Sequence, residues 1–241
     1  TGKINKTQVK LEADLARISE DINRTQVALE IAQQNAEAAR MGLNLNETAL
    51  PQCKIHLTQA QENAYAQITK AFASGKPAML HGATGSGKTE IYIKAAHKAL
   101  SEGKNVLYLV PEIALSRQLE DRLSEHFGKR LLVFHSAETA SSRRATAEAI
   151  RSGRGYIVLG TRSALFLPHH DLGLIIVDEE HDSSYKQDSP APRYNGRDTA
   201  LMLARIHNAD VILGSATPSL ESLYNTKAGK FGYIRLEERF H

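Results

Sequence analysis

Hydrophobic positions between residues 57 and 236 fall into short runs separated by longer amphipathic stretches. Apolar or β-branched runs at 77–81, 105–110, 131–134, 155–159, 173–177, 210–213 and 232–236 predict strands. Helical periodicity lies between them, at 58–73, 87–102, 113–127, 139–152 and 196–207. Strands alternating with helices imply right-handed crossovers, hence an α/β fold with a mostly parallel sheet and helices on both faces. Such a sheet binds ligands beyond the carboxyl ends of its strands. The residues that follow each run are therefore where chemistry is expected.

Residues 7–40 follow another pattern. They hold no Gly, Pro or aromatic residue, and Leu11, Leu15, Ile18, Ile22, Leu29 and Ala32 recur in four- and three-residue steps broken only at Thr25. This predicts an N-terminal helical segment within 1–42, ended at Gly42, and a linker over 43–56. The helix suits either a coiled-coil partner or docking on the neighbouring domain, which is expected to run from 57 to 241.

Composition narrows the picture a little. The 241 residues are 41% hydrophobic and 24% charged, with a net charge of +3, which is compatible with a polyanionic partner. One cysteine, Cys53, excludes a disulfide within the chain and a cysteine-based zinc site. No run approaches the roughly 18 apolar residues of a membrane span, and no signal-peptide core is visible. The expectation is a cytoplasmic protein without membrane contact.

The strongest chemical signal follows the first predicted strand. Gly82-Ala83-Thr84-Gly85-Ser86-Gly87-Lys88-Thr89 is a complete G-x-x-x-x-G-K-[ST] phosphate loop entering a helix. Glycines let backbone N–H groups of Gly82 to Gly87, with Thr84 and Ser86 among them, turn toward phosphate oxygens at a helix N-terminus. Lys88 is expected on the β- and γ-phosphates, and Thr89 on Mg²⁺. The strand at 173–177 ends in Asp178-Glu179-Glu180-His181. Asp178 is placed to hold Mg²⁺ and Glu179 to orient and deprotonate the attacking water, two tasks that need separate carboxylates. His169-His170 lack a third ligand and read as a solvated turn. His135 and Ser136 read as structural.

Asp178-Glu179-Glu180-His181 resembles the D-E-x-H box of superfamily 2 helicases. Gly214-Ser215-Ala216-Thr217-Pro218 resembles their S-A-T motif, and Leu57-Thr58-Gln59-Ala60-Gln61 their adenine-reading segment. The blocks HGATGSGKTEIY, LVPEIALSRQ, GTRSALF and IIVDEEHDSSYKQ together resemble the primosomal replication-restart helicases, the PriA family, over residues 55–236. The resemblance implies a RecA-like lobe that uses ATP and Mg²⁺, with Gln61 reading adenine. It implies that His181, Ser215 and Thr217 couple hydrolysis to DNA movement. Single-stranded and branched DNA and other replication-restart proteins are the implied partners.

The family also has a second motor lobe with an arginine finger, DNA-binding domains and paired-cysteine zinc sites, none expected in this chain. The expectation is therefore a piece of a longer enzyme that hydrolyses ATP poorly alone. Pro111-Glu112-Ile113-Ala114 opens a helix after the second strand, and the resemblance implies that this segment and Gly160-Thr161-Arg162-Ser163, with Thr161 and Arg162, hold the single-strand DNA backbone; Thr161 and Arg162 equally suit a helix-capping pair. The stretch 182–197 resembles the family's DNA-sensing aromatic loop. There Tyr185 and Tyr194 can stack on bases while Lys186, Arg193 and Arg197 meet phosphates, and Asn195-Gly196 suggests a turn. The other reading is a surface loop whose tyrosines cover the lobe. An ATP-switched DNA-binding or scaffold module is the alternative function; Glu179 speaks against it, because a switch needs no base beside the Mg²⁺ carboxylate.

Overall fold

The strand residues alternate between two buried faces, and that alternation fixes the architecture. The computed structural model describes residues 50–112, 114–134 and 140–236. The helical segment expected within 1–42, the first part of the linker, Ile113, and His135-Ser136 lie outside the described residues. In chain order the elements are α1 (Gln59–Ala73), β1 (Ala78–Gly82), α2 (Lys88–Ser101), β2 (Asn105–Leu109), α3 (Arg117–Phe127), β3 (Leu131–Phe134), α4 (Ala140–Ser152) and β4 (Ile157–Gly160). They continue with β5 (Leu172–Val177), β6 (Lys186–Gln187), β7 (Tyr194–Asn195), α5 (Gly196–His207), β8 (Asp210–Ser215), α6 (Leu220–Lys227) and β9 (Gly232–Leu236).

Seven strands form one parallel sheet in the order β3-β4-β2-β5-β8-β1-β9. On one face Leu80, Val106, Tyr108, Leu174 and Ile176 pack with Ile68 of α1, Ile91 of α2 and Leu123 of α3. On the other, Met79, Leu107, Leu109, Ile175 and Val177 pack with Ile150 of α4 and Ala200 of α5. Burial on both sides is why these strands read as continuous apolar runs. Each fully buried Leu or Ile contributes about 1.5–3 kcal/mol. Leu50 and Ile55, from the stretch expected as linker, are partly buried against the first face.

Local capping explains where the helices differ from expectation. The helix expected from 113 starts at Arg117. Pro111 O accepts from Ala114 N and Leu115 N in a turn, and Ser116 Oγ then accepts from Leu119 N. Asn195-Gly196 is no turn: Asn195 Oδ1 accepts from the N–H groups of Arg197 (2.9 Å) and Asp198 (3.3 Å) and so begins α5. The sequence pattern missed α6, a short helix capped by Ser219. His169 and His170 are not a solvated turn either. Their rings hydrogen-bond the carbonyls of Ala164 and Ile150, and burial pushes His169 down to about 4. Among the described residues no helix is long and apolar enough to cross a membrane.

Candidate nucleotide and nucleic-acid site

Beyond the end of β1 the chain turns through residues 83–87 into α2. Gly85 (φ 77°) and Gly87 (φ 84°) occupy the left-handed region, where a side chain would be strained. Gly87 is also the N-terminal cap of α2, so the turn and the helix start are one structure. Lys88 follows, with its side chain 8% exposed. Its Nζ donates to Gly82 O at 2.9 Å and lies 3.5 Å from Glu179 Oε1. The Ser86 hydroxyl is buried and has no hydrogen-bond partner among the described residues. An open cavity of about 450 Å³ lies here, lined by Thr84, Gly85, Lys88, Thr89, Asp178 and Glu179 and bordered by the Glu90–Arg122 ion pair.

Asp178 stands at the end of β5, where two donors fix its Oδ1: the Tyr92 hydroxyl at 3.0 Å and Glu179 N at 3.1 Å. Tyr92 is fully buried, meets Tyr108 edge-on at 5.6 Å, and keeps its proton because burial raises its pKa well above normal. Gly214 makes room for it, since a Cβ there would collide with the Tyr92 hydroxyl. Burial first, then the neighbouring Glu179 carboxylate, pushes Asp178 from 3.8 up to about 6, with Lys88 and Tyr92 pulling the other way.

A pH prediction follows from that shift. Folding raises the pKa, so the carboxyl's favourable contribution is complete below 3.8 and is lost as pH rises to about 6. Without nucleotide or Mg²⁺, wild type should therefore lose stability relative to Asp178→Asn across that window and change no further above it. Thermal unfolding of both proteins between pH 3.5 and 7.5 (roughly the range spanning both pKa values) checks this. A difference that is flat with pH would contradict it.

Glu179 adopts a positive φ of 45°, uncommon for a residue with a side chain, and this turns the chain sharply off the strand. Its carboxylate then faces three segments at once. Oε1 faces Lys88, while Oε2 lies 3.4 Å from Ala216 N and 3.6 Å from His181 Nδ1. His181 Nδ1 also hydrogen-bonds Ser215 Oγ at 2.8 Å, and Ser215 Oγ accepts from Thr217 N at 2.9 Å. The phosphate loop, the D-E-x-H box and the S-A-T segment are therefore joined by direct contacts.

The residues expected to meet DNA fare unequally. Tyr185 is only 1% exposed, and its hydroxyl donates to Asp178 O at 2.7 Å. It cannot stack on a base in this arrangement, because it is packed beneath the D-E-x-H box. Arg197 is buried too, bonded to Glu180, Asp198 and Ser219, and not placed on a surface that phosphate could reach. Thr161 is buried, with its hydroxyl on Ser163 Oγ, which leaves it no face for a DNA backbone. Arg162 donates to Ser184 O and lies 3.8 Å from Glu112, so it clamps the 182–197 stretch to the turn after β2. Lys186 and Arg193 are exposed, and Tyr194 is half-buried, edge-on to the exposed Phe166 at 5.0 Å.

Gln61 is 1% exposed; its Oε1 accepts from Thr58 N in a capping box and its Nε2 donates to Gly87 O. The amide thus ties the start of α1 to the phosphate loop. Tyr92, Arg122 and Glu180 were missed by sequence reasoning. Tyr92 sits three residues after Thr89, one helical turn on, and that spacing was the signal available. The interactions of Arg122 and Glu180 link distant segments, and no local pattern marks them.

The family described as DEAD/DEAH box helicase matches residues 58–226. Replication restart protein PriA of Rickettsia prowazekii is 38% identical over 226 residues, covering 94% of this chain and 32% of that protein. The Haemophilus influenzae protein of the same name is 43% identical over 208 residues, 86% of this chain and 28% of its own. The chain thus spans about a third or less of these curated relatives. Among solved structures, the Pyrococcus furiosus Hef helicase domain superposes with a TM-score of 0.55 at 20% identity, over 80% of this chain and 41% of that one. RecG bound to a three-way DNA junction gives 0.55 at 21% identity, over 89% and 30%. These likenesses fix the fold as a RecA-like helicase lobe. With the helicase family matched from the capping box of α1 to within α6, the chain belongs to the DEAD/DEAH box helicase family.

Proposed function

We propose that residues 57–241 form the ATP-binding lobe of a DNA helicase or translocase that acts in replication restart. The observation that carries this reading is the convergence of Lys88, Asp178 and Glu179 on one cavity beside the glycine turn. A nucleotide fits the residues present: the unpartnered Ser86 hydroxyl and the left-handed glycines form a cradle that phosphate oxygens can satisfy. Thr89 and Asp178 would hold Mg²⁺, which neutralises phosphate charge when bound. Lys88 binds the β- and γ-phosphates after leaving the Gly82 carbonyl. Glu179 orients the attacking water and accepts its proton, and its contacts with Ala216 and His181 tie that task to the S-A-T segment.

The likeness to PriA proteins across most of the chain supports replication restart as the setting, with other restart proteins as partners. RecG bound to a three-way DNA junction, and MrfA bound to DNA, are structural neighbours in line with branched DNA as the nucleic acid; single strands are part of the same proposal. Lys186, Arg193 and Tyr194 present cations and an aromatic ring at the sheet's carboxyl edge, the combination that holds single strands. His181, Ser215 and Thr217 carry the coupling. In the complete protein Lys88→Ala should abolish ATP-dependent strand displacement while DNA binding by other domains persists. Strand displacement that survives Lys88→Ala would overturn the motor assignment.

A further inference from the structure

Glu180 lies outside the nucleotide cavity, yet its side chain is 0% exposed. Its Oε1 accepts from Ser219 N at 2.7 Å. Its Oε2 accepts from Ser219 Oγ at 2.9 Å, Ser222 Oγ at 2.9 Å and Arg197 Nη1 at 3.2 Å. Its own N–H donates to Gly214 O at 3.0 Å. A carboxylate without water is tolerated only when donors surround it, and the start of α6 adds its partial positive charge. Arg197 also faces Asp198 at 2.9 Å and Glu221 at 3.8 Å, and it donates to Ser219 Oγ at 2.7 Å.

The topology gives this cluster its meaning. Glu180 is the residue after the proposed base and lies just before the 182–197 stretch, while Arg197 lies in the first turn of α5, where that stretch ends. The ion pair therefore closes the neck of the stretch. The same carboxylate grips the first turn of α6, which starts directly after Thr217-Pro218-Ser219. One side chain thus joins the stretch that carries Lys186, Arg193 and Tyr194 to the segment that contacts His181 and Glu179. A buried charged cluster whose members hold one another, as Glu180, Arg197 and Ser219 do, moves between discrete arrangements and does not yield gradually.

We propose that Glu180 is a positioning residue that makes the 182–197 stretch and the start of α6 move together, so that DNA on the stretch alters the setting of Ser215, His181 and Glu179. This rests on reading the lobe as part of a DNA-stimulated ATPase. In the complete protein, Glu180→Gln should leave basal ATP hydrolysis, the KM for ATP and binding of a fluorescent ADP analogue within about twofold, while stimulation by single-stranded DNA falls roughly 5- to 150-fold, the range of ordinary coupling between sites.

Ser222→Ala, which removes one hydroxyl from Glu180 and leaves the ion pair intact, should lose stimulation in the same direction and decides the matter if Glu180→Gln does not fold. Stimulation retained in the folded variant overturns the inference, whatever happens to the melting temperature. Basal and stimulated rates falling together also overturn it, since that is what a purely structural role gives. A wild-type protein with no DNA stimulation would instead sink the functional reading beneath it.

Discussion

The chain by itself is expected to bind Mg²⁺–nucleotide yet hydrolyse ATP roughly 10³–10⁵-fold more slowly than a longer protein that carries a second lobe, the range an arginine finger supplies. The lobe holds the phosphate turn, the candidate metal carboxylate and the candidate base around one open cavity. The resemblance places the arginine finger on a second lobe. Binding depends on groups that are already arranged, whereas turnover needs charge stabilisation from the far side of the nucleotide. Equilibrium binding of a fluorescent ADP analogue, beside steady-state hydrolysis by both forms, measures the two parts separately. Turnover by the isolated chain equal to that of the complete protein would show that the lobe needs no partner for chemistry.

Glu179→Gln in the complete protein is expected to lower kcat about 10²–10⁴-fold with little effect on nucleotide affinity, the usual contribution of a general base. Glutamine keeps the size of the side chain and can still bond Ala216 N, so the positive-φ turn and the S-A-T contact should survive. What is lost is the capacity to take a proton. The same substitution also removes the charge facing Lys88 and one cause of the raised Asp178 pKa. Asp178 should then titrate lower, so the pH dependence of stability described above should shift toward acid in Glu179→Gln. A comparable loss in binding and in kcat would mean that Glu179 arranges the site and is not the base.

The sheet was legible because its central strands, such as 105–109 and 172–177, are buried on both faces, which writes short, largely apolar runs into the sequence. Helix starts were legible where the cap is local, as at Thr58 and Gly87, and shifted where a turn intervened, as at Pro111 before Ser116. The phosphate loop and the D-E-x-H box were visible because their chemistry needs contiguous residues. The network beneath them was not. Tyr92 reaches Asp178 across 86 positions of sequence, and Glu180 reaches Ser222 across 42.

The aromatic stretch 182–197 misled for a related reason. Tyrosine reads as a surface stacker when neighbours are polar, but Tyr185 has a polar tip that finds Asp178 O while its ring fills space beneath the box. Arginine misled likewise. Arg197 sits in a cationic stretch of sequence and Arg162 in the motif after β4, yet each meets an acid or carbonyl from another element. Charge along a chain does not reveal which charges are already paired.

Steady-state ATP hydrolysis by the complete protein, with and without single-stranded DNA, for wild type and Glu179→Gln, decides whether the lobe is a DNA-driven motor. The wild-type rate should rise on adding DNA, and the variant should stay near zero in both conditions while still binding nucleotide. A wild-type rate indifferent to DNA, or hydrolysis undiminished in Glu179→Gln, would contradict the motor reading.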